Sequence, residues 1–158
     1  MAGKNDSDQP SYPAESGIYI DASALAKLYV PEPESEVLDR FFRNRTDLVI
    51  SELTLTEVIS AVGRRRREGV ISARQAGRLR DALFADANSG SFRRIDLAPA
   101  VHRLAERILF STESIPLRTL DALHIALALS GEAKRLVTFD PRMADAAALH
   151  GLSIVQVS

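Results

Sequence analysis

Apolar and polar residues follow two kinds of pattern, which alternate from residue 17 to the end of the chain. Short apolar runs, typical of buried strands, are each followed by segments in which apolar residues recur every three or four positions, as in a helix with one buried face. In one such segment the apolar positions are Leu55, Val58, Ile59 and Val62. The pattern predicts strands at 17–20, 47–50, 93–97, 135–139 and 152–157. It predicts helices at 21–30, 34–43, 52–67, 72–90, 99–110, 119–130 and 141–149.

This alternation of strands and helices predicts an α/β fold. We expect a three-layer α/β/α sandwich with a central, mostly parallel sheet of about five strands. The expected organisation is a disordered polar leader at 1–16 and a single domain at 17–158. In open parallel sheets, ligands bind beyond the carboxyl ends of the strands. The chemistry of this protein should therefore be sought at that edge.

The amino-acid composition excludes several kinds of functional site. The chain has no cysteine, which excludes a disulfide framework, a thiol nucleophile and a cysteine-ligated metal. The formal net charge of −1 does not by itself indicate a nucleic-acid-binding protein. No apolar run approaches the ~20 residues that a membrane span needs, and no secretory signal pattern is present. We expect a cytoplasmic protein that is not associated with a membrane.

Four acidic residues fall at or near the carboxyl ends of the predicted strands. Asp21 and Asp140 directly follow two of the strands, Glu57 lies in the first turns of the helix at 52–67, and Asp121 lies in the first turn of the helix at 119–130. Taken singly, the aspartates could each cap a helix or complement its dipole. Together, converging carboxylates would repel one another and raise each other's pKa values, which a divalent cation would offset. Oxygen ligands of this kind suit Mg²⁺ or Mn²⁺.

Segments carrying these acids resemble, in this order, the signature blocks of a known family. The blocks are those of PIN-domain ribonucleases and, more narrowly, of the VapC toxins of bacterial and archaeal toxin–antitoxin pairs. The resemblance runs from about residue 17 to residue 157, nearly the whole chain outside the leader. The four segments are "YIDASALAKLYVPEPES", "SELTLTEVISA", "LDALHIALAL" and "LVTFDPRMADAA".

The resemblance implies a Mg²⁺-dependent endoribonuclease, with Mn²⁺ as a substitute ion, in which metal-activated water attacks an RNA phosphodiester in line. Such hydrolysis leaves a 5′-phosphate and a 3′-hydroxyl. Ser23 and Thr138 match hydroxyl positions that would orient the site, and Asp140 matches a position at which some relatives differ. The catalytic acids and metal ligands carried over are Asp21, Glu57, Asp121 and Asp140. Glu57 is either a ligand or the group that polarises the water.

The resemblance also implies partners: an RNA substrate, a VapB-type antitoxin that blocks the active site, and a second copy in a homodimer. Arg118 directly precedes the helix of Asp121 and is a candidate contact for a substrate phosphate. The four arginines at 64–67 are either a solvated helix end or a contact for RNA or for an acidic partner. His124 lies in a very apolar helix and is interpreted as structural.

Other functions fit the sequence less well. A receiver-like signalling domain also clusters acids at the strand ends of a parallel sheet, but the last strand here is not followed by the required lysine. A phosphatase of the D-x-D type would need a second aspartate, which "DASAL" lacks. A catalytically silent PIN module is a further alternative, against which the intact set of acids argues.

Overall fold

A computed structural model describes residues 17–157 of the chain and shows five strands in one sheet, in the order β3-β2-β1-β4-β5. Neighbouring strands pair in parallel throughout this sheet. The strands are β1 (Ile18–Ile20), β2 (Leu48–Ser51), β3 (Arg93–Ile95), β4 (Arg135–Val137) and β5 (Ser153–Ile154). The helices are α1 (Ala22–Tyr29), α2 (Ser35–Phe42), α3 (Glu52–Arg67), α4 (Ala73–Asn88), α5 (Pro99–Ser111), α6 (Thr119–Ser130) and α7 (Pro141–Leu149). The predicted leader at 1–16 lies outside the described residues.

Helices cover both faces of the sheet, because successive side chains of a strand point to opposite sides. Tyr19, Val49 and Leu136 belong to a core cluster formed with α5, α6 and α7. Ile18 and Ile20 belong to a second cluster formed with α1, α2, α3 and α4. The predicted three-layer sandwich with a parallel sheet of five strands is confirmed.

The strand β4 ends two residues earlier than its apolar run predicts. The Phe139 N–H donates to the Ser23 hydroxyl oxygen at 2.8 Å instead of pairing with a neighbouring strand. The Thr138 hydroxyl oxygen likewise lies 2.7 Å from a carboxylate oxygen of Asp21. The predicted strand therefore divides into a paired part and a turn whose polar groups serve the sheet edge.

The helix α6 is the most buried helix of the described chain, with eight consecutive buried residues from 121 to 128. It ends at Gly131, where a Cβ atom would lie only 1.7 Å from Cδ1 of Ile95, so that a larger residue would collide with β3. Because the chain leaves α6 to enter β4 at the amino edge of the sheet, the first turn of α6 lies at the carboxyl edge. No helix of the described residues is long and apolar enough to cross a membrane.

An ion-pair cluster lies at the amino edge of the sheet, where β2 and β4 begin. Arg45 donates to both carboxylate oxygens of Asp47, at 2.9 and 3.0 Å. The buried Arg135 donates to Oδ2 of Asp47 at 3.0 Å. Burial alone would raise the pKa of Asp47, but the hydrogen bonds and charge of Arg45, with the charge of Arg135, outweigh it and hold that pKa below its usual range.

The outer strand β3 carries two arginines whose side chains are tied to neighbouring elements. Arg93 donates to the carbonyl oxygen of Gly131 at 2.6 Å. Arg94 forms an ion pair with Glu52 and donates to Oδ1 of Asn88 at 3.0 Å. The opposite outer strand, β5, contains only two residues. Both outer strands of the sheet are therefore short, and β3 carries charged side chains.

Candidate active site

Asp21 directly follows β1 and is buried, with 1% of its surface exposed. One carboxylate oxygen accepts the Ala24 N–H at 2.9 Å, which caps α1. The other accepts the Thr138 hydroxyl at 2.7 Å, and the Ser23 hydroxyl lies 2.8 and 2.9 Å from the two oxygens. Asp21 thus caps α1 and also accepts hydrogen bonds from the hydroxyls of Ser23 and Thr138, the two residues predicted from the sequence to orient the site.

The charge of Asp21 is not neutralised by a cationic side chain. Among the ion pairs of the described residues, none includes this carboxylate. Burial raises the pKa of Asp21, and the opposing influence of His124 and of the hydrogen bonds from Ala24, Thr138 and Ser23 does not cancel this effect. A cation beside this carboxylate would therefore stabilise its charged form.

Asp140 joins the same edge through Thr138. The Thr138 hydroxyl donates to Asp21 and accepts the backbone N–H of Asp140 at 3.1 Å, so one side chain bridges the two acidic segments. Oδ1 of Asp140 accepts the N–H groups of Arg142 and Met143, at 2.9 and 3.4 Å, and caps α7. The cap expected from the Asp-Pro sequence is present.

Glu57 lies in the second turn of α3, and its carboxylate is hydrogen-bonded to Nε2 of His124. The other ring nitrogen, Nδ1, lies 2.9 Å from the hydroxyl oxygen of Tyr19. That hydroxyl also contacts the hydroxyls of Ser51 and Thr54, at 2.8 and 3.2 Å. A polar network therefore runs from the centre of the sheet to a predicted catalytic acid.

The sequence interpretation of His124 missed this contact with Glu57. The spacing of Asp121 and His124, three residues apart on one helix, places the two side chains on neighbouring surface and suggested a mixed metal site, but it does not point to Glu57. The apolar neighbours of the histidine favoured the structural interpretation. In the structure, the histidine is 1% exposed, but its polar atoms face Tyr19 and Glu57.

Asp121 is 7% exposed and lies in the first turn of α6. Its Oδ2 accepts the backbone N–H of Arg118 at 3.1 Å, an interaction within its own helix terminus. The Arg118 residue is exposed, at the entry to the same helix. These positions agree with a place for both residues at the carboxyl edge of the sheet.

Contacts and electrostatics relate the predicted acids in two ways. Asp21 and Asp140 share the Thr138 bridge. Burial is the main cause that raises the pKa of Tyr19, the hydroxyls of Ser51 and Thr54 oppose it, and the negative charges of both Asp21 and Glu57 add to it.

Within residues 17–157, no group of three or more histidine, aspartate or glutamate side chains is arranged to hold a metal ion as the side chains stand. Each of these acids is instead bonded to a donor of the protein. Glu57 is bonded to His124, whereas Asp121 and Asp140 each accept N–H groups at the terminus of a helix. The structure thus brings the acids to one edge and leaves each with its own donor.

Comparisons with known proteins agree with this fold. The PIN domain family model matches residues 18–149. Ribonuclease VapC46 of Mycobacterium tuberculosis is 38% identical over 145 residues, which are 90% of this chain and 99% of the relative. The crystal structure of VapC20 of Mycobacterium tuberculosis superposes with a TM-score of 0.69 at 18% identity, covering 89% of this chain and all of that one. A toxin–antitoxin complex from Klebsiella pneumoniae gives a TM-score of 0.57 at 22% identity, covering 90% of this chain and 98% of its match.

The two structural matches fall below 25% identity and show the shared fold. The family model spans most of the chain, and VapC46 is similar over nearly its whole length. These matches confirm the resemblance drawn from the four sequence segments. The chain belongs to the PIN-domain family.

Proposed function

We propose that this protein is an endoribonuclease of the VapC type, which hydrolyses RNA phosphodiester bonds at the carboxyl edge of its sheet with Mg²⁺ as cofactor. The observation that carries the proposal is the buried Asp21 carboxylate, which is bonded to hydroxyl and amide donors and has a raised pKa. A carboxylate kept in this state suits a hard divalent cation better than it suits a structural ion pair. The similarity to Ribonuclease VapC46 supports the same assignment.

The donor set of the site fits Mg²⁺ or Mn²⁺, because it consists of carboxylate oxygens. Asp21, Asp121 and Asp140 would hold the ion, with Glu57 either as a ligand or as the group that orients the attacking water. When bound, the ion would lower the pKa of a water molecule and neutralise charge that develops on the phosphoryl group. Asp121 and Asp140 would turn from their present donors toward the ion, whereas Glu57 would keep its bond to His124.

The remaining residues of the site would position the Asp21 carboxylate and the RNA. Ser23 and Thr138 hold the two oxygens of Asp21, and their own oxygens accept N–H groups of the turn after β4. The exposed Arg118 would contact a phosphate of the RNA, since a guanidinium can donate two parallel hydrogen bonds to phosphate oxygens.

We further propose that the nuclease is a cytoplasmic toxin, that a VapB-type antitoxin inhibits it, and that it forms a homodimer. The support is the similarity to VapC46 and the shared fold with a chain of the Klebsiella pneumoniae toxin–antitoxin complex. In this assignment the antitoxin would cover the carboxyl edge, where the acids lie.

The proposal is tested with purified protein, a mixed RNA substrate and controlled metal. We expect cleavage in Mg²⁺ to fall at least ~100-fold in excess EDTA and to return with Mn²⁺. Asp121→Asn should lower cleavage by a similar factor, because the amide still accepts the Arg118 N–H but carries no charge. The matched control is Asp39→Asn, an exposed acid of α2 paired with Arg43.

Cleavage that persists in EDTA would show that the chemistry does not need a metal ion. If the wild-type protein cuts no RNA under any metal condition, the silent PIN module becomes the better assignment. Products carrying a 2′,3′-cyclic phosphate instead of a 5′-phosphate and a 3′-hydroxyl would contradict attack by water.

A further inference from the structure

A polar network crosses the apolar layer between the sheet and α6. Tyr19 and His124 are sealed from solvent, with 0% and 1% of their surfaces exposed, whereas the Glu57 side chain is 28% exposed. The distance from the Tyr19 hydroxyl to Nδ1 of His124 is 2.9 Å, and Nε2 of the same ring bonds the Glu57 carboxylate. The network thus runs from the closed core to an acid that a ligand can reach.

The chemistry of the groups assigns the protons in this network. A carboxylate only accepts hydrogen bonds, so Nε2 of His124 carries the proton that is donated to Glu57. If the imidazole is neutral, Nδ1 is then an acceptor and receives the Tyr19 hydroxyl.

The inner end of the network is anchored to the helix that carries Glu57. Ser51 caps α3 by accepting the Thr54 N–H at 3.2 Å, and the Ser51 hydroxyl lies 2.8 Å from the Tyr19 oxygen. The Thr54 hydroxyl donates to the carbonyl oxygen of Ile20 at 3.3 Å. One hydroxyl cluster therefore sets both the start of α3 and the partner of the histidine.

We propose that Tyr19 and His124 are positioning residues, which hold the Glu57 carboxylate in the orientation used for RNA hydrolysis. The inference rests on the proposed function, because it treats Glu57 as a working acid. A glutamate side chain has several rotatable bonds. Because the His124 ring is held by Tyr19 at one nitrogen, the hydrogen bond from its other nitrogen restricts the orientations that the Glu57 carboxylate can adopt.

The test uses two substitutions of His124 that differ in reach. The side chain of Asn ends near the position of Nδ1, so His124→Asn keeps a polar group beside Tyr19 and removes the donor to Glu57. The side chain of Gln ends near the position of Nε2, so His124→Gln restores that donor. We expect His124→Asn to lower kcat for RNA cleavage about 10- to 30-fold with KM changed less than about 2-fold, and His124→Gln to recover activity to within about 3-fold.

Tyr19→Phe gives a second, milder variant, since it removes one oxygen from a buried ring. We expect kcat to fall about 3- to 10-fold, again with little change in KM. Melting temperatures of all variants are measured without metal. Equal losses in His124→Asn and His124→Gln, or losses that follow the unfolded fraction, would overturn the positioning role. If His124→Asn does not fold, Tyr19→Phe decides the question alone.

A spectroscopic measurement tests the contact without RNA or metal. ¹⁵N chemical shifts of the His124 ring in the EDTA-treated protein should show the Nε2–H tautomer, and Glu57→Gln should shift the Nε2 resonance. A ring with its proton on Nδ1, or a resonance unaffected by Glu57→Gln, would overturn the inference. If wild type cuts RNA and the histidine variants match it, only this inference fails; if wild type cuts no RNA, the proposed function fails with it.

Discussion

Asp21 and Asp47 lie at opposite edges of the same parallel sheet and have opposite electrostatic surroundings. Asp47, at the amino edge, is bonded to Arg45 and Arg135, and its pKa is held below the usual range. Asp21, at the carboxyl edge, is bonded to neutral donors, and burial raises its pKa. A position beside a strand therefore does not by itself determine the electrostatic surroundings of an acid.

The two acids differ in the source of the positive charge that would balance them. At the amino edge the protein supplies it from two side chains, so the pair is complete when the chain folds. At the carboxyl edge no arginine or lysine of the described residues is paired with Asp21, and a ligand would have to supply the charge. We expect substitutions at the two edges to separate catalysis from stability.

The largest effect should come from Asp21→Asn. We expect RNA cleavage to fall at least ~100-fold, because a ligand charge is lost while the amide oxygen still accepts the Ala24 N–H that caps α1. The melting temperature in EDTA should rise, since a buried charge without a cationic partner is removed. The matched control is Asp47→Asn, which should cut RNA within about 3-fold of wild type. Equal activity in the two variants would break the comparison.

A smaller effect is expected on stability at the other edge. Asp47→Asn should lower the free energy of unfolding by about 1–3 kcal/mol, because charged hydrogen bonds to two arginines are weakened and Arg135 stays buried. Urea unfolding followed by circular dichroism measures the change. A variant as stable as wild type would show that the ion pairs at this edge contribute little net stability.

The smallest effect is the pH dependence of that stability difference. The pKa of Asp47 is lower in the folded protein than in the unfolded chain, where it is about 3.9. The stabilisation is therefore fully present above that value and is lost as the pH falls through the folded pKa. We expect the difference in unfolding free energy between wild type and Asp47→Asn to be constant from about pH 5 to 7 and to shrink below about pH 4. A difference that grows on acidification would contradict this assignment.

Much of the fold could be predicted from periodicity, because apolar spacing records which face of each element is buried. The helices at 119–130 and 141–149 agree with α6 and α7 at both ends. The end of β4 could not be predicted from apolar character, since Phe139 turns to bond Ser23, which lies 116 residues earlier. Contacts of this range depend on the packed structure and leave no periodic signal.

The candidate site was predictable in its residue types and in its edge of the sheet. The sequence did not predict how each acid is held. The bond between Glu57 and His124 joins α3 to α6 across 67 residues, and the local apolar context of the histidine pointed elsewhere. The ligand set itself stays a prediction, as do the roles of Ser23, Thr138 and Arg118. The single domain at 17–158 also stays a prediction.

The short outer strands have a consequence for assembly of many copies. A long, neutral edge strand offers a template on which a second chain can extend the sheet. Here β5 has two residues, and β3 carries Arg93 and Arg94, whose side chains are already bonded to Gly131 and Glu52. Short outer strands with charged side chains disfavour extension of the sheet by a strand from another molecule.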